Sequence, residues 1–286
     1  MRVGLQMYSV REAFASDPLG TLSRIAEIGY RHVEFANHHA DRDPGVGFGI
    51  SADKLRKQLE QVGIKPVGSH ISPFPRSDAE LDRVIAYHRD LGSESIAISI
   101  DFWNNRQEVL AACKFYDRVG ERCAKAGLAF YFHNHFHEFQ QLDGERVLDT
   151  IVANTRPEHL GVELDAYWTF RGAIDPAEKI REYKQRVKVI HQKDFPFSQA
   201  RHLDIWTEID PSKPLDTVTF HNAIHPEHFT EIGDGMMKVQ DIIDAGNEAS
   251  ARYLLVEQDH GRMASEFERI ARGLANLKKL TGLTWD

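Results

Sequence analysis

Apolar and polar positions change period repeatedly along this chain. Short runs rich in β-branched and aromatic residues recur at 3–8, 32–36, 66–70, 95–100, 128–134, 160–165, 187–193 and 253–258, each with the length and composition of a buried strand. Between them lie amphipathic helical stretches whose starts carry cap chemistry: Asp17-Pro18, Ser51, Ser77 with Glu80, Asp175-Pro176, and Ser265 with Glu268. Proline at the first helical position removes an orphan amide donor, and serine followed three residues later by glutamate satisfies two.

Strand starts fall roughly 30 residues apart, the size of one βα unit, except for a gap of about 66 before the last. Eight strands alternating with helices predict a parallel sheet. After the first strand stands Gln6-Met7-Tyr8-Ser9-Val10-Arg11, not the glycine-rich phosphate loop of a doubly wound sheet. A closed (β/α)8 TIM barrel is therefore expected, as a single domain over residues 1–286. A segment at 195–236, with Pro196, Pro211, Pro214 and Pro226, is too long for a plain connection and is expected to be a lid inserted after strand seven.

The 286 residues suit such a barrel, which typically takes about 250. Hydrophobic residues at 42% and charged ones at 27% are an ordinary globular composition. No apolar run reaches the roughly 20 residues of a membrane span, and the strand-like start has no signal-peptide core, so a cytoplasmic protein without membrane contact is expected. Cys113 and Cys123 stand ten residues apart in one helix, too far for a disulfide, and read as reduced thiols. A net charge of −8 without a basic stripe argues against nucleic acid.

In a barrel of this kind catalytic groups collect at the C-terminal strand ends. Here those ends carry Gln6 and Tyr8, Glu34, His70, Asp101, His133 to Glu138, Glu163 and Asp165, His191 and Lys193, and Glu257. The densest is 131–139, with three histidines and a glutamate in nine residues. Side-chain alternation puts Glu163 and Asp165 on one inward face, and His191 and Lys193 on another. Two inward carboxylates are costly to bury unpaired. A divalent cation would relieve Asp165, while the deeper Glu163 is expected to hold a base such as Lys193 or a histidine.

These segments, GLQMYSVR, YFHNHFHEF, GVELDAYW, HQKD, EIGDGMMKVQDII and LLVEQD, run nearly the length of the chain, which resembles the xylose isomerase-like TIM-barrel superfamily of sugar phosphate isomerases and epimerases. The resemblance implies one divalent metal, held by an acid from strand five, an aspartate from strand six, a histidine from strand seven and a glutamate from strand eight. Residue by residue this carries to Asp165, His191 and Glu257. At strand five many relatives have glutamate where this chain has His133, whereas the HNHxxEF branch offers Glu138. Glu138 is taken as the ligand, with His133 the next candidate and His135 lining the substrate cavity. Several relatives continue their aspartate as Asp-x-x-His. This chain reads Asp165-Ala166-Tyr167-Trp168, so Trp168 would offer a flat wall to a sugar ring.

The implied activity is sugar isomerisation or epimerisation by proton abstraction next to a carbonyl through a metal-stabilised enediolate, with Glu138 and Glu257 as proton carriers. The ion would be Mn²⁺ or Mg²⁺, with Zn²⁺ or Co²⁺ as further choices. A dehydratase or lyase acting on a keto-sugar or keto-inositol starts with the same deprotonation. More distant alternatives are an endonuclease IV-like metal hydrolase and a non-catalytic sugar-binding barrel. Glu34, His70, His133, His135, Trp168 and Lys193 are expected to bind the carbohydrate or orient ligands. The loop histidines His38, His39, His202, His221, His225 and His228 read as solvated, with one or two in the lid. A homodimer or homotetramer is in keeping with the resemblance.

Overall fold

Residues 1–210 and 213–286 are described by the computed structural model. Eight parallel strands, β1 (Arg2–Gln6), β2 (His32–Asn37), β3 (Lys65–Ile71), β4 (Ser95–Ile98), β5 (Ala129–His133), β6 (Gly161–Asp165), β7 (Val187–Gln192) and β8 (Tyr253–Val256), form one closed barrel in chain order. Closure is made where β1 pairs with β8 through Arg2 and Tyr253 to Leu5 and Val256, and with β2 through Leu5 and Val33. All the helix starts read from the sequence are capped as expected. Asp17 and Asp175 accept from Gly20 and Glu178 amides ahead of Pro18 and Pro176, Ser51 from Lys54, and Ser77 and Ser265 close capping boxes with Glu80 and Glu268.

The barrel's interior follows the period-2 reading. Val67, Ala97, Tyr131, Val189, Tyr253 and Leu255 make an apolar plug at its lower end. Gly161 belongs to the same layer because a Cβ there would sit 2.7 Å from the Tyr131 ring. Outward residues of the strands join the helices in the main core, in which Cys113 and Cys123 are buried free thiols on helix Arg106–Lys125. The plug matters for function because inward polar side chains further along the strands, such as His133 after Tyr131, His191 and Lys193 after Val189, and Glu257 after Leu255, are left stacked above it.

The sequence gap before β8 holds short turns at Phe197–His202, Ile205–Thr207 and Pro226–His228 and a helix at Thr217–Asn222. Pro211, one of the prolines noted in this insertion, lies outside the described residues. Asp194, at the end of β7, ties the far side of the insertion back. Its carboxylate accepts from the amides of Phe195, Gly233, Gly235 and Met237 at 2.8 to 3.2 Å. Among the described residues no helix is long and apolar enough to cross a membrane.

One buried histidine on an outer helix gives a stability test. Burial holds His88, on helix Asp78–Leu91, down to about 4 from an ordinary 6.5. Because the folded value is depressed, the unfolded chain takes up this proton first, so the stability is whole above pH 6.5 and is lost as pH falls toward 4. His88→Leu is expected to flatten the acid limb of the Tm-against-pH curve in that interval. An unaltered limb, with the fold intact, would refute the assignment.

Candidate active site

Each inward-facing side chain at the upper barrel end is delivered by alternation from a strand whose next residue belongs to the outer core. Two layers result. The inner layer joins Glu34, His70, Glu163 and His191. His70 Nε2 lies 2.5 Å from Glu163 Oε1, and His191 Nε2 lies 2.8 Å from Glu34 Oε2 and 3.1 Å from Glu163 Oε1. Gln6 donates to Glu34 at 2.8 Å. Both acids follow a register shift, between Val33 and Glu34 in β2 and between Val162 and Glu163 in β6. Such bulges re-aim a side chain, and here they accompany the two carboxylates turned onto the histidines.

The outer layer contains His133, Asp165, Glu257 and Lys193. Lys193 Nζ donates to Asp165 Oδ2 and Glu257 Oε2, both at 2.5 Å, and lies 3.9 Å from Asp259. His191 Nδ1 reaches the same Glu257 oxygen at 2.7 Å, which links the layers. The register places Asp165 and Leu255 beside His191, so Glu257 stands two residues beyond that height and reaches back to His191 Nδ1 with its side chain.

Charge in this stack is shared rather than solvated. Burial alone would raise the Glu163 carboxyl, but the His191 and His70 charges outweigh it and hold it well below the usual range. Burial likewise works against the His191 imidazolium, yet Glu163 and Glu257 raise it well above an ordinary histidine. Glu257 is held down, against burial, by Lys193 and His191, while burial and the Glu163 charge push Glu34 to about 7. Burial and the charge of His70 take His133 to about 3, so it is a neutral imidazole with a lone pair to offer.

The strand-five expectation needs correction. Glu138 does not join Asp165, His191 and Glu257. The position at that height is filled by His133, whose ligand atoms lie with those three residues within 4.8 Å of one another. The strand ends at His133, and the turn His137–Phe139 carries Glu138 aside. There it accepts from the His135 amide at 2.9 Å and groups with His135 and His137. Burial raises its carboxyl well above the ordinary value, and it is not among the residues lining the cavity above the strand ends.

The buried His133, Asp165, His191 and Glu257 set could hold a metal ion. One observation fits a cation: the two carboxylates are already arranged around one positive charge, the Lys193 ammonium. His133 turns Nε2 toward Asp165 Oδ2 at 4.0 Å and Nδ1 toward Glu163 Oε1 at 3.4 Å.

Over this set opens a cavity of about 340 Å³, in the size range of small-ligand sites. His70, His133, His135, Trp168 and Glu257 line it as the sequence suggested, and so does Asp259. Trp168 is buried at its wall, with the Lys193 ammonium 5.9 Å from the ring centroid. Glu34 and Lys193 do not reach the cavity. Both are buried, and the partners they hold are the residues named above. Glu163 holds histidines, as one of the two stated expectations had it, and Lys193 is held by Asp165 and Glu257 instead.

The inserted segment contributes Thr217, Phe220, His221 and Ile224 to the cavity wall. Phe220 packs on Phe136 in a stacked arrangement at 5.4 Å and edge-on to His135 at 4.9 Å. His221 and His38, read as solvated loop residues, both face the cavity, and His228 is buried against Arg171. Tyr8, Ser72, Ser99 and Phe102 are further lining residues. Of these only Tyr8 carried a signal, its place at the end of the first strand segment.

The model of the family described as xylose isomerase-like TIM barrel matches residues 22–280. An inosose dehydratase of Lacticaseibacillus casei is 26% identical over 155 residues, 53% of this chain and 48% of that protein, so the match spans about half of that relative's length. An inosose dehydratase of Geobacillus kaustophilus is 26% identical over 75% of this chain and 70% of its own. Among solved structures, a sugar phosphate isomerase/epimerase from Parabacteroides distasonis superposes with a TM-score of 0.79 at 22% identity, covering 99% of this chain and 95% of that one.

Proposed function

The chain belongs to the xylose isomerase-like TIM-barrel family, and on that premise we propose that it acts on a polyhydroxylated carbonyl compound by removing the proton next to the carbonyl. Return of the proton to the other face or to the neighbouring carbon makes it a sugar isomerase or epimerase. The observation that carries this reading is the convergence of Glu257 on the group His133, Asp165 and His191 at the base of a cavity that Glu257 and Asp259 both line.

A divalent ion held by His133, Asp165, His191 and Glu257 would supply Lewis-acid polarisation of the substrate carbonyl. With His133 in place of Glu138 the donors are two imidazoles and two carboxylates, a set that suits Mn²⁺, Zn²⁺ or Co²⁺ ahead of Mg²⁺. Glu257, on the cavity floor, takes the proton, and Asp259, nearer the mouth, is placed to return it or to serve a leaving hydroxyl. Lys193 holds Asp165 and Glu257 in position from below. Glu163 and Glu34 fix the His191 ring between them. Trp168 and Phe220 exclude water and offer flat faces to a ring's C–H surface.

The likeness to two inosose dehydratases favours a second reading, in which the same deprotonation is followed by loss of a β-hydroxyl. One experiment separates the two. The protein is incubated with Mn²⁺ and a panel of ketoses, keto-sugars and keto-inositols in D₂O. Deuterium next to the carbonyl in a product of unchanged composition is expected for isomerisation or epimerisation, and a product lacking one water for elimination. Exchange on no substrate, with metal bound, would sink the deprotonation mechanism.

A further inference from the structure

A second, smaller cavity of about 180 Å³ opens beside the first, and the two share Tyr8 and His38 as a common wall, their rings 5.3 Å apart. Its lining is of a different kind. Met7, Phe14, Ala36, Val46 and Phe48 make it apolar, with Phe14 and Phe48 edge to face at 5.0 Å. Phe48 remains 39% exposed although it belongs to this aromatic pair. An apolar cavity of roughly 150 Å³ is large enough to take a benzene ring, so this annex has room for one aromatic group.

The annex is built, not slack. The loop after β2 that carries Val46 and Phe48 is pinned by Asn37, whose amide donates to the carbonyls of Asp43 and Gly45, both at 2.8 Å. Asp43 accepts from the amides of Gly45 and Gly49 at 2.8 and 2.7 Å, and Tyr87 donates to the Ile50 carbonyl at 2.7 Å. Gly47 makes the close passage possible: its φ is +88°, and a Cβ there would lie 2.9 Å from Asn37 Oδ1.

Charge narrows the ligand further. No lysine or arginine lines the main cavity among the described residues; its lining joins the carboxylates Glu257 and Asp259 with the imidazoles of His38, His70, His133, His135 and His221. The cation of the annex, Arg11, is turned onto Tyr8, donating to its carbonyl at 3.1 Å with the guanidinium 4.4 Å from the ring centroid. A phosphate monoester would find no guanidinium or ammonium on the lining of the main cavity, and the Arg11 guanidinium of the annex is already engaged by Tyr8, so its charge would be desolvated without a dedicated side-chain partner.

We propose that the site takes an uncharged polyhydroxylated ring bearing an aryl-sized apolar substituent, the ring in the main cavity and the substituent in the annex. This rests on the reading of the main cavity as a sugar or cyclitol site, but not on which reaction follows deprotonation. The test is calorimetric binding to the full chain supplied with Mn²⁺, using pairs of methyl and phenyl glycosides of several hexoses together with the corresponding hexose 6-phosphates. In at least one pair the phenyl member is expected to bind about tenfold or more tightly than the methyl member, as burial of a ring's apolar surface implies. Phe48→Ala is expected to erase most of that preference while leaving methyl glycoside affinity unchanged, and the phosphates to bind no better than the free hexoses.

Equal affinity within every pair would overturn the proposal, as would tighter binding of a phosphate that Arg11→Met abolishes. Deuterium exchange on free sugars without any aryl preference overturns the annex assignment alone. An aryl preference without exchange on any sugar supports the annex and removes the deprotonation chemistry.

Discussion

Glu257→Gln lowers the rate of exchange or turnover at least a hundredfold, about the smallest effect of removing a positioned proton carrier. Glutamine keeps the volume and the position next to Lys193 and His191 but cannot take a proton. The substitution also withdraws one of two carboxylates that neutralise Lys193, leaving Asp165 as its 2.5 Å partner, so the folded state survives and the rate can be read. The informative measurement pairs turnover with ligand affinity. Retained affinity with lost turnover is the expected outcome. Retained affinity together with an undiminished rate would mean that the barrel binds its carbohydrate and uses some other group for chemistry.

The largest stability effect is expected for His191→Ala. The His191 ring separates three carboxylates, with Glu34 and Glu163 on Nε2 and Glu257 on Nδ1 at 2.7 to 3.1 Å, and all of them are buried. Removing the ring leaves like charges facing one another in a dry layer. Breaking one buried pair typically costs about 3–5 kcal/mol, and the central place of His191 puts the expected loss in that range or above. His191→Gln should recover part of it, because an amide still donates to one acid. Urea denaturation of the chelator-treated proteins reads both values. A loss below about 1 kcal/mol for the alanine variant would show that the carboxylates relax by protonation or by water entry, and the two-layer description would then be wrong.

Much of this site follows from local rules. Alternation alone placed Glu163 with Asp165 and His191 with Lys193 on inward faces, and the structure keeps them there because each β-residue's direction is fixed by its own backbone. Cap chemistry worked for the same reason: Ser77 with Glu80 and Ser265 with Glu268 need only four residues to close. The rule failed where the strand stopped. Beyond His133 the chain enters a turn, period 2 no longer applies, and Glu138 groups with His135 and His137, while His133, paired in register with Glu163, keeps a donor atom near Asp165. Glu34 and Lys193 were rightly seen as strand-end groups, but whether such a group meets ligand or lies one layer below depends on stagger between strands, which bulges at Val33/Glu34 and Val162/Glu163 alter.

The sequence by itself determined the eight-unit rhythm and the inward faces, since these depend on spacings of two to about thirty residues; the trio Asp165, His191 and Glu257 came from the family resemblance. Only the tertiary structure decided which strand ends meet. Glu34 touches His191 across 157 residues of chain, and Tyr8 and His38 line both a polar cavity and the adjoining apolar one built partly by the loop after β2. Those encounters are set by barrel closure and loop packing. No local period encodes them, because they depend on distances fixed only when β1 has found β8.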